Sequence, residues 1–145
     1  LFRRGQLREV AIDAGAPQIR ITNRTRSSAE ALAAEFGNRL SVVDWSERDM
    51  ATAGVGLMVN TTSLGMVWQP PLDIRLDDLP REAVVNDIVY VPLETGLLRA
   101  ARQRGNRVVD GLGMLLHQAR PAFRAWWGIL PEVTPGLRQR IEETL

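Results

Sequence analysis

The sequence has no cysteine, and all 18 of its cationic residues are arginine. Without thiols, neither disulfides nor thiolate metal sites can form. Without a lysine, these residues cannot offer that amine as a general base or Schiff-base former. A single histidine, His117, rules out a multi-histidine metal centre. The formal net charge is only +1, which predicts no general attraction to nucleic acid or to an anionic membrane. No apolar run approaches the ~20 residues that cross a bilayer. The opening Leu1-Phe2-Arg3-Arg4-Gly5 lacks the apolar segment and cleavage site of a signal peptide. The expectation is a single cytoplasmic domain, long enough at 145 residues to bury a real core.

What is present alternates between two periodicities. Gln6 to Ala14 predicts a short helix, closed by Gly15 and barred from continuing by Pro17. Gln18 to Thr22 predicts a strand. Ser27 and Glu30 make an S-x-x-E capping box, opening a helix through Ala29, Leu32, Ala33 and Phe36 that stops at Gly37. Leu40 to Val43 predicts a second strand, and Ser46 caps a short helix to Ala53. Leu57-Met58-Val59-Asn60 is an apolar run suited to a strand covered on both faces. A long loop follows, broken by Gly65 and Pro70-Pro71. Ala83 to Ile88 predicts another strand, Leu93 to Arg104 a helix with Gly105 beyond it, and Arg107 to Val109 a short strand. Met114 to Trp127 reads as a helix kinked or split at Pro121, and Thr134-Pro135 starts a closing helix. Strand and helix in alternation predict an α/β fold with a doubly wound parallel sheet.

Such a sheet holds a dinucleotide where its strands end. An acid after the second strand accepts hydrogen bonds from a free ribose 2′-hydroxyl, whereas an arginine there pairs with a 2′-phosphate. Between Ile19 and Ser28 there is no Asp or Glu, but there are Arg24 and Arg26. A guanidinium can grip two phosphate oxygens and lay its flat face on adenine. Asn23-Arg24-Thr25 therefore points to NADP rather than NAD, against the plainer reading of a solvated loop. One part of the pattern is missing. Only 14 residues precede Gly15, and they hold one glycine, Gly5, too little for a first strand and a G-x-G-x-x-G turn.

Four spaced motifs stand in the order seen in shikimate dehydrogenases, and the chain resembles that family from Gly15 to its end. They are Asn23-Arg24-Thr25, Asn60-Thr61-Thr62-Ser63-Leu64-Gly65-Met66, Asn86-Asp87-Ile88-Val89-Tyr90, and the run from Asp110 to Gln118. The tail from Ala122 to Val133 is also similar. The resemblance implies NADP-dependent, reversible reduction of 3-dehydroshikimate to shikimate, on the route to chorismate and the aromatic amino acids. It implies that a separate amino-terminal domain holds substrate and supplies a catalytic Lys-Asp pair, which agrees with the lysine-free composition. This chain would then be an amino-terminally truncated, Rossmann-like NADP-binding domain, lacking its first strand and glycine-rich loop, with the substrate domain absent. Its partners would be NADP(H) and the shikimate pair, with a homodimer open.

The resemblance also assigns residues. Asn23, Arg24 and Thr25 match the clamp on the adenosine phosphate. The family often has a further basic residue at the place of Ser28, for which Arg26 is the nearby substitute. Thr61, Thr62 and Ser63 lie on the ligand-binding edge. They contact cofactor, or they form a turn held by side-chain to backbone bonds. Ile88 matches a position whose backbone approaches the nicotinamide, and Gly111 a contact to the carboxamide. Tyr90 and Gln118 match residues that reach substrate. Gly113 joins Gly111 in a turn where backbone can approach a ligand. His117 points about 100° from Gln118 on a helix and is set aside as a general acid. Leu115, Ala119, Ala122 and Trp126 follow the spacing of one buried helical face, and Trp126, Trp127 and Phe123 are expected to pack in the core or between domains rather than to form a stacking platform. No catalytic residue and no metal ligand is expected in this chain.

Two other readings remain. One is a quinate/shikimate dehydrogenase, some of which accept NAD. The other is a non-catalytic, truncated dinucleotide-binding module. In either case Ile19 to Thr22 and Leu57 to Asn60 would be the second and fourth strands. They are expected to border the place of the missing first strand, with edges open to aggregation.

Overall fold

Short apolar runs become parallel strands here because each is joined to the next by a stretch long enough to cross over. The computed structural model describes residues 14–145, so the expected helix over Gln6 to Ala14 and any strand before it lie outside the described residues. The chain divides into two compact units, Leu1–Ala53 and Gly54–Leu145.

In the first unit, β1 (Ile19–Thr22) pairs in parallel with β2 (Leu40–Val43), Ile19 opposite Leu40 and Thr22 opposite Val43. Between them runs α1 (Arg26–Phe36), whose Ala29 is fully buried. Gly37 ends the helix at φ 62°, a conformation that favours glycine. The Arg20 guanidinium donates to the carbonyls of Ala51 at 3.0 Å and Ala53 at 2.6 Å, fastening β1 to the segment after β2.

The second unit holds three parallel strands in the order β3-β4-β5: β3 (Leu57–Asn60), β4 (Val84–Asp87) and β5 (Arg107–Val109). The register sets Leu57 opposite Val84 and Asn60 opposite Asp87. Helix α2 (Gly96–Gln103) packs Leu97, Leu98 and Ala101 onto Val85, with Leu76, Leu79 and Ala83 completing the core. Full burial of a side chain such as Leu98 stabilises by about 1.5–3 kcal/mol. Helices α3 (Leu112–Trp127) and α4 (Pro135–Glu142) close the chain. The Thr134 hydroxyl caps α4 by accepting from Leu137 N, and Pro135 opens the helix as expected. At the end of the sheet where the strands begin, Asn106 Nδ2 donates to the carbonyls of Pro80 (2.8 Å), Arg81 (3.1 Å) and Ala83 (3.0 Å).

Several expectations need correction. The Ser27–Glu30 capping box does not form. The helix starts two residues earlier, Thr25 is its N-cap without a side-chain bond, and Glu30 is drawn instead to Arg26 Nε at 2.7 Å. The helix expected from Ser46 to Ala53 is two 3₁₀ turns, Trp45–Glu47 and Met50–Thr52, since so short a segment gains little from an α-helical nucleus. Strand β3 is not covered on both faces, because Leu57 is 54% exposed. Helix α2 begins at Gly96, where the Thr95 hydroxyl caps it, rather than at Leu93. Helix α3 begins at Leu112 and is not split, because Pro121 removes one hydrogen bond from a helix of 16 residues. Its expected buried face fails more plainly. Ala119 and Ala122 are exposed and Trp126 is 74% exposed, while only Leu112 of that helix is fully buried. Helical spacing identifies a face, and it does not supply the surface that would cover it.

Among the described residues β1 pairs only with β2, and β3 only with β4. No helix among them is long and apolar enough to cross a membrane.

Candidate functional site

Parallel strands present their carboxyl ends along one edge, and ligands of open α/β sheets bind there. In the first unit that edge carries residues 23–28. Asn23 Oδ1 accepts from Thr25 N at 3.1 Å, which fixes the turn and leaves Arg24 at its exposed corner. Arg24 makes no ion pair among the described residues. Arg26 is held quite differently. It bonds Asp44 Oδ1 at 2.5 Å and Glu30 Oε1 at 2.7 Å, and the hydrogen bond to Asp44, then that to Glu30, raises its pKa further. Of the two arginines, then, only Arg24 has its guanidinium uncommitted. Ser28 is half-buried on the first turn of α1, and no side chain caps that helix.

In the second unit the edge is organised by buried polar groups. Asn60 ends β3, Asp87 ends β4 opposite it, and both are buried. Asp87 Oδ1 accepts from Asn60 Nδ2 at 3.0 Å and from Val89 N at 3.1 Å, while Oδ2 accepts from the Thr95 hydroxyl at 2.7 Å. Burial pushes the Asp87 carboxyl above its usual range, and the bonds from Thr95, Val89 and Asn60 oppose that shift. Asn60 Oδ1 in turn accepts from Thr62 N (3.0 Å) and Thr62 Oγ1 (2.8 Å), and Thr62 Oγ1 accepts from Leu64 N at 3.1 Å. The Thr62 side chain thus builds the turn itself. Thr61 and Ser63, on either side, are exposed.

The loop after β4 carries Ile88 and Tyr90, both half-buried. Gly111, after β5, is buried against it, its N–H donating to Val89 O at 3.2 Å. A Cβ on Gly111 would lie 2.1 Å from Ile88 O and 2.6 Å from Val89 O. Gly111 therefore packs closely on the backbone of Ile88 and Val89. Because those neighbours are backbone, Gly111→Ala is expected to lower stability by about 1–3 kcal/mol. Gly113→Ala, with nothing within 4 Å, is expected to be neutral or slightly stabilising. Urea midpoints of the two variants check this, and equal midpoints would contradict it.

Gln118 is half-buried in the second turn of α3, and neither it nor Tyr90 makes a side-chain hydrogen bond among the described residues. His117 is exposed in a surface groove of about 600 Å³ lined also by Arg120, Pro121, Arg124, Ala125 and Leu130. That groove contains none of the strand-end residues. Nearby, the Trp127 ring meets Phe123 at a tilt, with centroids 4.6 Å apart, and Trp126 edge to face at 5.4 Å, and all three side chains stay exposed. Among the described residues no group of His, Cys, Asp and Glu could hold a metal ion.

Sequence reading gave Asn60, Asp87 and Thr95 no role. A signal was present in that the apolar runs LMVN and VVND each close on a polar residue at the same register. Asp110 was overlooked too. It accepts from Leu112 N at 3.0 Å and from Arg138 Nη2 at 2.7 Å, joining the start of α3 to α4.

No family profile matches the chain. Individual proteins do. A shikimate dehydrogenase (NADP+) of Dinoroseobacter shibae is 58% identical over 127 residues, covering 88% of this chain and 46% of that protein. One from Methylocella silvestris is 60% identical over 122 residues, covering 84% and 44%. The chain spans about half the length of the curated relatives it matches. Among solved structures, shikimate 5-dehydrogenase of Thermus thermophilus in complex with NADP(H) and shikimate is similar with a TM-score of 0.74 and 34% identity. That match covers 92% of this chain and 48% of the other. Quinate dehydrogenase of Corynebacterium glutamicum in complex with NAD gives a TM-score of 0.77 and 32% identity, covering 92% and 47%.

Proposed function

We propose, from the premise that the chain belongs to the shikimate dehydrogenase family, that it forms the NADP-binding half of an enzyme reversibly reducing 3-dehydroshikimate to shikimate. The observation that carries the cofactor choice is Arg24, an exposed and uncommitted guanidinium directly after β1, with no carboxylate between Ile19 and Ser28 to repel a 2′-phosphate. The residues fit such a group. Asn23 fixes the turn under Arg24, and α1 has no side-chain cap competing for its first amides. Arg26 lends less than its position suggests, because Asp44 and Glu30 occupy it.

In the second unit Thr61 and Ser63, the backbone of Ile88, and Gly111 would hold the nicotinamide end. Ile88 offers an apolar wall that keeps water from the reacting face. Tyr90 and Gln118 keep a phenol and an amide available for a ring bearing hydroxyls, an amide being able both to donate and to accept. When bound, the cofactor supplies a hydride. The general base is assigned to the part of such an enzyme that this chain does not match, and the compartment is proposed as the cytoplasm.

The test is a chimera in which this chain replaces the matching half of the Dinoroseobacter shibae relative. Oxidation of shikimate with NADP+ is expected. A folded chimera that works only with quinate and NAD would move the assignment to the quinate branch. One that binds neither dinucleotide would overturn it.

A further inference from the structure

We infer that the Asp87 carboxylate is a positioning residue, holding the strand-end loops so that Ile88 and Tyr90 stand where cofactor and substrate need them. The inference rests on the functional reading above for the roles of Ile88 and Tyr90, and on geometry alone for the holding. Asp87 is 0% exposed, so it does not touch the reacting atoms itself. Its two oxygens instead collect donors from three different segments. Asn60 comes from the end of β3, Val89 from the loop after β4, and Thr95 from the N-cap of α2.

Each donor passes the constraint on. Asn60 also donates to Leu64 O at 3.2 Å and accepts from Thr62, so the loop 61–64 is fixed relative to β4. Thr95 accepts from Leu98 N at 3.3 Å, which leaves its hydroxyl proton directed at Asp87. Val89 lies between Ile88 and Tyr90, and its carbonyl takes the N–H of Gly111. One carboxylate therefore sets the mutual placement of the loops following β3 and β4, and through Val89 that of the turn following β5.

Stability alone is a poor reason for this group. A buried charge is costly to desolvate, and apolar replacement of buried ionic groups is often neutral or stabilising. What an apolar residue cannot do is impose direction on three donors at once. The site that needs such direction is the one these loops carry.

Tyr90 is the only tyrosine in the sequence, so the 145-residue chain grown with fluorotyrosine gives a single fluorine resonance reporting on that loop. Asp87→Ala is expected to shift or split this line and to speed hydrogen exchange at the Val89 amide about 10- to 100-fold, as loss of a hydrogen bond to a charged group requires. Asp87→Asn keeps an acceptor for Asn60 and Val89 and should restore most of that protection. Should Asp87→Ala not fold, Thr95→Val, which removes one donor, is expected to shift the line and Thr95→Ser to return it. Asn106→Ala is the control, since it releases three carbonyls at the opposite end of the strands. It should lower the urea midpoint and leave the Tyr90 line in place. An unmoved line in Asp87→Ala or Thr95→Val, or an equal disturbance in Asn106→Ala, would overturn the inference. A separate titration of the wild-type chimera with NADP+ tests the functional reading, whose failure would leave the fluorine result standing.

Discussion

Made by itself and given shikimate and NADP+, the 145-residue chain is expected to form no NADPH above the uncatalysed rate. Proton removal from a substrate hydroxyl needs a base within hydrogen-bond reach, with a pKa suited to the task. The chain has no lysine, and its one histidine, His117, is exposed in a groove apart from the strand-end residues. Asp87, the last residue of β4, is fully buried and already accepts three hydrogen bonds, and Asp110, just after β5, is engaged by Leu112 N and Arg138 Nη2. Among the described residues Tyr90 makes no side-chain hydrogen bond. Loss of an essential general base typically lowers a rate by about 10²- to 10⁴-fold. Following NADPH absorbance with purified chain is sufficient. Turnover above background, abolished by Tyr90→Phe or Gln118→Ala, would show that the base lies among these residues after all.

In the chimera, Arg24→Asp is expected to weaken NADP+ by about one to two decades relative to NAD+. A hydrogen bond to a charged group contributes about 1.5–3 kcal/mol, and the reversed charge adds repulsion toward a phosphate. The structure sharpens this expectation by removing the obvious understudy. Arg26 is engaged by Asp44 and Glu30, so it cannot take over without breaking two ion pairs. Dissociation constants for the two dinucleotides, measured in one salt concentration, give the ratio directly. Equal losses for NADP+ and NAD+ would mean that Arg24 does not read the 2′-phosphate.

Legibility in the sequence followed the range of the forces involved. β2, β3 and β5 were placed to the residue, as Leu40–Val43, Leu57–Asn60 and Arg107–Val109, because each is a short apolar run closed by polar or glycine punctuation. The helix starts were less exact. Whether Ser27 or Thr25 sits at the N-cap of α1 turns on Arg26 competing for Glu30, and that competition depends on Asp44, 18 residues further along. At the site, Asn60 accepts both the N–H and the hydroxyl of Thr62, a turn-building role that spacing along the chain does not reveal.

The sequence by itself determined the alternation of strand and helix, the parallel α/β class, the arginine in place of an acid after β1, and the lack of a lysine base. All of these are properties of residue type and near spacing, and folding cannot alter them. Tertiary structure decided the rest. It decided that Arg26 is paired with Asp44 and Glu30 while Arg24 makes no ion pair among the described residues, that Gly111 packs on the backbone of Ile88 and Val89, and that the tryptophans of α3 lie exposed. It also decided that Asp87 gathers donors from three segments. Each of these outcomes depends on which distant groups meet. Register and crossover connections set those meetings, and spacing along the chain does not encode them.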